Sequence, residues 1–252
     1  MPLIADDSLE SRKLPMGNYG YTATKLEKLG ASEFTLVVIL SDISSSVTGY
    51  KTELEQCLQE VVRGCKHSPR AENLLLMHVQ FGSDVVESHG FRPLENCKDS
   101  DYEGILNIGG MTSLFDAWLF AIGAMRDYSE HLAENDFLTN GIIVGITDGD
   151  DTHSNFGAKD VKKAMSAAMK QETLESLVPI LIGLNHHPDQ WDRDHFTKML
   201  DQFKDDLNIS QVENVKNLDD KVFAKVAQFI SQSISSQSQS LGTGGPSQPL
   251  TL

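Results

Sequence analysis

The sequence predicts an α/β fold: a doubly wound, Rossmann-like, mostly parallel sheet with helices on both faces and one antiparallel edge strand. Short apolar runs such as "LVVIL", "LLLMHV" and "GIIVGI" alternate with longer segments of helical period from residue 33 to residue 232. The runs are continuous rather than alternating, as strands covered on both faces are. Polar residues cluster where the runs end, which is where a sheet of this kind presents its binding surface.

Taken in order, residues 36–42 form the first strand, and "TGYKTELEQCLQEVVRGC" the first helix, with Leu54, Leu58, Val61 and Val62 at helical spacing. "NLLLMHVQF" is the second strand. "DVVESHGF", short and polar on one side, reads as the antiparallel edge strand. After the loop "NCKDSDYEGILNIGGMT" comes the helix "SLFDAWLFAIGAMRDY", then the strand at residues 141–147. "AKDVKKAMSAAMKQE" is helix, "SLVPILIGL" strand, "DRDHFTKMLDQFKDDL" helix, "SQVENV" a weak strand and "DDKVFAKVAQFISQSI" the last helix.

The 252 residues suit one large domain, expected at 34–235. Residues 1–33 read as a polar extension with one short helical stretch, "TATKLEKLG". Residues 236–252 read as a flexible Ser/Gln/Gly-rich tail, too poor in bulky apolar groups to offset its ordering entropy, unless it docks on a partner or a second copy. With 36 acids against 21 bases the net charge is −15, which disfavours nucleic acid and anionic membranes as partners. No apolar run approaches the roughly 20 residues of a membrane span, and "MPLIADDSLESRKLP" lacks the apolar core of a secretory signal, so a cytoplasmic location is expected. Cys57 and Cys65 fall on one helix about 12 Å apart, too far to bridge; with Cys97 they make three thiols, all expected to be reduced.

Chemistry concentrates at three strand ends or helix-feeding loops: Asp42, Ser44 and Ser46 after the first strand, Thr112 in "GGMTS", and Asp148 in "TDGDD". A helix needs one capping oxygen, so the first cluster holds more than capping requires. The i, i+2, i+4 spacing lets a turn send three oxygens to one side, with Ile43 and Ser45 facing away. Hydroxyls and carboxylates without sulfur or imidazole form a hard-oxygen set, suited to Mg²⁺, Mn²⁺ or Ca²⁺. Gly109, Gly110 and Gly149 permit close backbone approach beside Thr112 and Asp148.

In these residues the sequence resembles a von Willebrand factor A (vWA) domain with a metal-ion-dependent adhesion site (MIDAS). Asp42, Ser44 and Ser46 match the D-x-S-x-S motif, Thr112 the threonine after a Gly-containing loop, and Asp148 the T-D-G aspartate. The resemblance spans residues 33–232 and is nearer to the bacterial and phage intracellular branch, including TerY-like proteins, than to secreted adhesins. It implies that Ser44 and Ser46 are direct ligands, Thr112 a direct or water-mediated one, and Asp42 and Asp148 ligands directly or through water. It further implies an open position for a carboxylate of a partner protein, and an adaptor role in an AAA+ ATPase, stress-linked or phage-linked complex. Ser45 departs from the pattern, where glycine is common.

Non-enzymatic binding is therefore the expected function. One alternative is a metal-dependent phosphohydrolase or nuclease, but residue 44 is a serine rather than a second carboxylate, and no lysine or histidine is placed as activator. The other is an architectural subunit that self-associates through its tail. Asp150 and Asp151 read as solvated turn residues. "NHHPDQWDRDH", with His186, His187 and His195, reads as a polar loop entering a helix, His78 as a hydrogen-bonded core histidine, and Trp118 and Phe115 as core. "NIGGMTS" lacks the lysine of a phosphate loop.

Overall fold

A computed structural model describes residues 2–250 apart from 5, 15–18, 171–172, 187–188, 208, 210, 217 and 243–249. Its strands are β1 (Leu9–Lys13), β2 (Gly20–Thr24), β3 (Glu33–Asp42), β4 (Leu74–Phe81), β5 (Val85–Pro93), β6 (Leu138–Thr147), β7 (Leu177–Asn185) and β8 (Gln211–Lys216). The helices are α1 (Lys51–Lys66), α2 (Leu114–Ala133), α3 (Ala158–Ala168), α4 (Gln190–Leu207) and α5 (Asp220–Leu241). Among the described residues the strands form one sheet in the order β1-β2-β5-β4-β3-β6-β7-β8. The run β4-β3-β6-β7-β8 is parallel, and β5 is antiparallel to β4.

The continuous apolar runs are explained by two cores. Leu36, Val38 and Leu40 of β3 face α2, α3 and α4, while Val37 and Ile39 face α1 and α5. Every residue of β4 and β7 is buried, as strands sandwiched between helices require. Because β4 and β6 flank β3, and α1 and α2 pack on opposite faces, the strand order reverses at the carboxyl end of β3. An open α/β sheet gathers its ligands at such a point.

Two segments differ from the sequence reading. "TATKLEKLG" is not a helix: Thr22–Thr24 close strand β2, and only Leu26–Lys28 make a 3₁₀ turn. The β1–β2 hairpin continues the sheet beyond β5, through the parallel pair Ala23 and Phe91, so β5 is antiparallel to β4 as expected but lies inside the sheet, and β1 takes the edge. Distant partners override the local pattern here. Tyr21 Oη and Arg12 Nε both donate to Asp127 of α2, and Tyr128 Oη donates to the Thr24 carbonyl. Gly90 allows the close approach, since a Cβ there would lie 1.7 Å from Thr22 O.

The second difference is at the carboxyl end. Helix α5 runs on to Leu241, so residues 236–241 are helical rather than tail. Ser231, Ser233, Gln237 and Ser238 are buried on it: Ser238 Oγ lies 2.9 Å from Thr35 Oγ1, and Gln211 Nε2 donates to Ser233 Oγ at 2.9 Å. A polar composition reads as solvated unless such distant partners are known. The rest of the expected tail, apart from Gly242 and Leu250, lies outside the described residues. Cys57, Cys65 and Cys97 are buried free thiols. Among the described residues no helix is long and apolar enough to cross a membrane.

Glu87 sits inside the junction of hairpin and sheet, accepting from Thr22 N at 2.9 Å and Thr22 Oγ1 at 2.5 Å. Burial pushes its pKa from 4.5 up to about 7, and the Thr22 hydrogen bonds offset only part of this. Stability from a raised acid is fully present below its unfolded pKa and lost as the pH rises through its folded one. Glu87 is therefore expected to remove on the order of 2 kcal/mol between about pH 5 and pH 8. Urea unfolding of wild type and Glu87→Gln across that range isolates this group from the buried histidines. Parallel profiles for the two proteins would contradict the assignment.

Candidate metal centre

Asp42 ends β3 and lies abreast of Thr147 at the end of β6, because the register pairs Ser41 with Ile146. Thr147 Oγ1 accordingly donates to Asp42 Oδ2 at 2.7 Å, while Asp42 Oδ1 accepts from Ser44 N at 2.8 Å. The chain then turns into a 3₁₀ segment, Ser45–Tyr50, ahead of α1. This turn swings Ser44 and Ser46 to one side: their hydroxyls are 2.9 Å apart, and Ser46 Oγ donates to Asp148 Oδ1 at 2.8 Å. Ile43 is buried in the α1 core.

Four of the five sequence-nominated residues thus form one continuous cluster. Thr112 stands next to it, its hydroxyl 4.0 Å from the position a Cβ on Gly149 would occupy. Among the described residues its side chain makes no hydrogen bond to the other four. The Thr112 loop is held on both sides. Gly109 and Gly110 have φ of 154° and 86°, a region that favours glycine, and a Cβ on Gly110 would meet Ser83 Oγ at 2.5 Å. Gly109 N donates to Ile43 O, and Thr152 N and His153 N both donate to Thr112 O.

Several residues that sequence reasoning set aside hold this surface together. Ser45 is exposed, but its Oγ and backbone N both donate to Gly110 O, so it clamps the first loop to the second rather than facing away. Asp151 accepts from Phe115 N at the start of α2 and from Ser154, so it is a helix cap and loop tie, not a solvated turn residue. Asp116 accepts from Asn155 and Phe156, fixing the far side of that loop. Thr147, the threonine of "TDGDD", orients Asp42, a role visible only once the register is known.

The histidines divide. His186 Nε2 lies 3.5 Å from Asp148 Oδ2, and His195 Nε2 lies 2.7 Å from Asp150 Oδ2; His187 is outside the described residues. His78 is fully buried against Ser41 Oγ at 3.0 Å, and its Nδ1 has no hydrogen-bond partner. Burial pushes its pKa down to about 3. Trp118 is in the core, and Phe115 packs on Phe203.

The electrostatics favour a cation. Burial first, then the charge of Asp148, pushes Asp42 up to about 6 despite hydrogen bonds from Thr147 and Ser44. Asp148 is raised too, chiefly by burial. Its Oδ2 is buried and accepts no hydrogen bond. An orphaned carboxylate oxygen beside two hydroxyls and a second carboxylate is a donor set that fits a hard divalent ion. Among the described residues no three His, Cys, Asp or Glu side chains form a metal-holding group, so a cation here would rely on the hydroxyls.

Replacing Thr147 by valine keeps its shape and removes the donor to Asp42 Oδ2. The expected cost is about 1–2 kcal/mol by chemical denaturation, with Thr147→Ser retaining most of the stability. Equal losses in both variants would mean that packing, not the hydroxyl, matters there.

No family model matches the sequence, and no curated protein matches it. Solved structures do share its fold. The D319A mutant of the PilB minor pilin from Streptococcus sanguinis matches with a TM-score of 0.59 at 12% identity, over 91% of this chain and 67% of that one. The pilus adhesin SpaC from Lactobacillus rhamnosus GG, in an open conformation, matches at 0.56 and 11% identity, over 92% of this chain and 35% of the adhesin. Proximal thread matrix protein 1 from the mussel byssus, in a form with a zinc-occupied MIDAS motif, matches at 0.50 and 12% identity, over 82% and 46%. The chain therefore spans about a third to two thirds of these neighbours. At such identities the likeness is one of fold, and the shared fold is the Rossmann-like, mostly parallel α/β sheet described above.

Proposed function

We propose that this chain is a non-enzymatic protein-interaction module of the vWA type, built around a MIDAS. Ser44, Ser46, Thr112, Asp42 and Asp148 would hold a divalent cation, Mg²⁺ in preference to Mn²⁺ or Ca²⁺. The observation that carries the reading is Asp148 Oδ2, buried without a hydrogen-bond donor at the end of the Asp42–Ser44–Ser46 cluster. Bound there, the cation supplies a positive centre with only two formal negative charges around it, to which a partner's carboxylate can add.

The chain's own residues prepare that surface. Thr147 and Ser44 N fix the rotamer of Asp42, Ser45 and Gly110 join the two loops, and Asp151 and Asp116 anchor the third. The finer reading, a cytoplasmic adaptor in an AAA+ ATPase, stress-linked or phage-linked complex, rests on the sequence motif alone.

Mg²⁺ is expected to raise the melting temperature of the wild type and to leave Asp148→Ala unmoved, with the variant retaining the wild-type circular dichroism spectrum. Affinity capture from a lysate of the source organism should then retain a partner with Mg²⁺, lose it with EDTA and lose it with Asp148→Ala. The same partners in all three samples would sink the cation-dependent reading.

A further inference from the structure

Beside the candidate metal centre, the carboxyl ends of β7 and β8 and the first two turns of α4 border an open cleft of about 740 Å³. Tyr50, Asn185, His186, Arg193, Thr197 and Lys216 line it. His186 belongs to both places: its Nε2 is 3.5 Å from Asp148 Oδ2, and its ring stands edge-on to Tyr50 with centroids 5.0 Å apart. The cleft is therefore continuous with the cation-binding cluster rather than a separate depression.

Its charge runs against that of the chain. The protein carries −15, yet the lining sets Arg193 and Lys216 against one carboxylate, Asp194, which already accepts from Gln190 Nε2 at 2.6 Å; Arg193 itself donates to Gln190 Oε1 at 3.2 Å and stands near the charge of Asp189. Among the described residues Lys216 has no acidic partner. The wall also holds a polar deficit. Asn185 is 2% exposed; its Nδ2 donates to Arg193 O at 3.2 Å and lies 3.4 Å from Thr197 Oγ1, and its Oδ1 has no donor. A buried amide oxygen left without a donor is the kind of deficit that a ligand N–H removes. On the adjoining face of α4, Trp191 is 74% exposed and stacked on His195, an aromatic anchor of the type protein partners use.

We infer that this cleft is a second subsite for an acidic peptide of the partner. One carboxylate of the peptide goes to the metal centre, and a neighbouring one pairs with Arg193 and Lys216. The inference deepens the proposed function and rests on it for the first carboxylate, but the second contact stands on the cleft's own chemistry. It makes the recognised element a segment with at least two acidic side chains rather than one.

Hexaglutamate is a suitable probe, because it offers carboxylates at every spacing, with hexaglutamine as the uncharged control. Amide chemical shifts followed in Mg²⁺ are expected to move both at Ser44–Ser46 and around Asn185, Thr197 and Lys216. The double variant Arg193→Gln, Lys216→Gln is expected to bind hexaglutamate roughly tenfold more weakly, with Mg²⁺ affinity unchanged by calorimetry. Cleft shifts that are equal in Mg²⁺ and in EDTA, with none at Ser44–Ser46 in either, would support the cleft and sink the cation reading. Shifts confined to Ser44–Ser46, with the double variant binding like wild type, would overturn the cleft and leave the cation reading standing. No shifts beyond those of hexaglutamine would overturn the cleft. Inorganic phosphate moving the same cleft amides as strongly would overturn its assignment to a peptide.

Discussion

Burying Asp42 and Asp148 at the ends of neighbouring parallel strands puts two carboxylates into a site from which water is largely removed, and the surrounding loops follow from that cost. Each acid is raised by burial, and Asp42 is raised further by Asp148. A chain that only needed to close a sheet would place apolar or neutral residues there. The donors supplied by Thr147, Ser44 N and Ser46 compensate three of the four carboxylate oxygens and leave Asp148 Oδ2 without one. The fold thus keeps an electrostatic deficit of one sign at its binding edge, and a divalent cation is the simplest group to satisfy it.

Position and rigidity come from different parts of the molecule. The parallel register of β3 with β6 sets the two acids side by side. Loop-to-loop hydrogen bonds then restrict where the hydroxyls can go: Ser45 to Gly110, Gly109 to Ile43, and Asp151 to Phe115. Serine at position 45 has a physical role in this arrangement, since it adds a side-chain bond to the backbone bond already made to Gly110 O. The cost is a hydroxyl at the exposed rim, next to the place where a partner would approach.

Much of this was legible in the chain itself, for local reasons. Runs buried on both faces, such as "LVVIL" and "GIIVGI", need no distant information to be read as central strands. The D-x-S-x-S spacing likewise puts its oxygens on one turn. What escaped the reading depends on pairs distant in sequence. Tyr21 joins a strand because Asp127 and Phe91 are waiting for it, and Ser238 is helical and buried because its hydroxyl pairs with that of Thr35. The roles of Thr147 and His186 depend on strand register and on partners distant in sequence, Asp42 for the one and Asp148 for the other. Side-chain chemistry was visible before folding; the contacts that tune it were not.

The most direct measurement is anomalous diffraction from crystals grown with Mn²⁺, which locates the ion independently of any partner. A single strong peak is expected among Ser44, Ser46 and Asp148, with Asp148 Oδ2 turned to it. A well-ordered cluster without such a peak, at saturating Mn²⁺ and with Asp148 Oδ2 satisfied by water or by His186, would contradict the claim that these residues form a cation site.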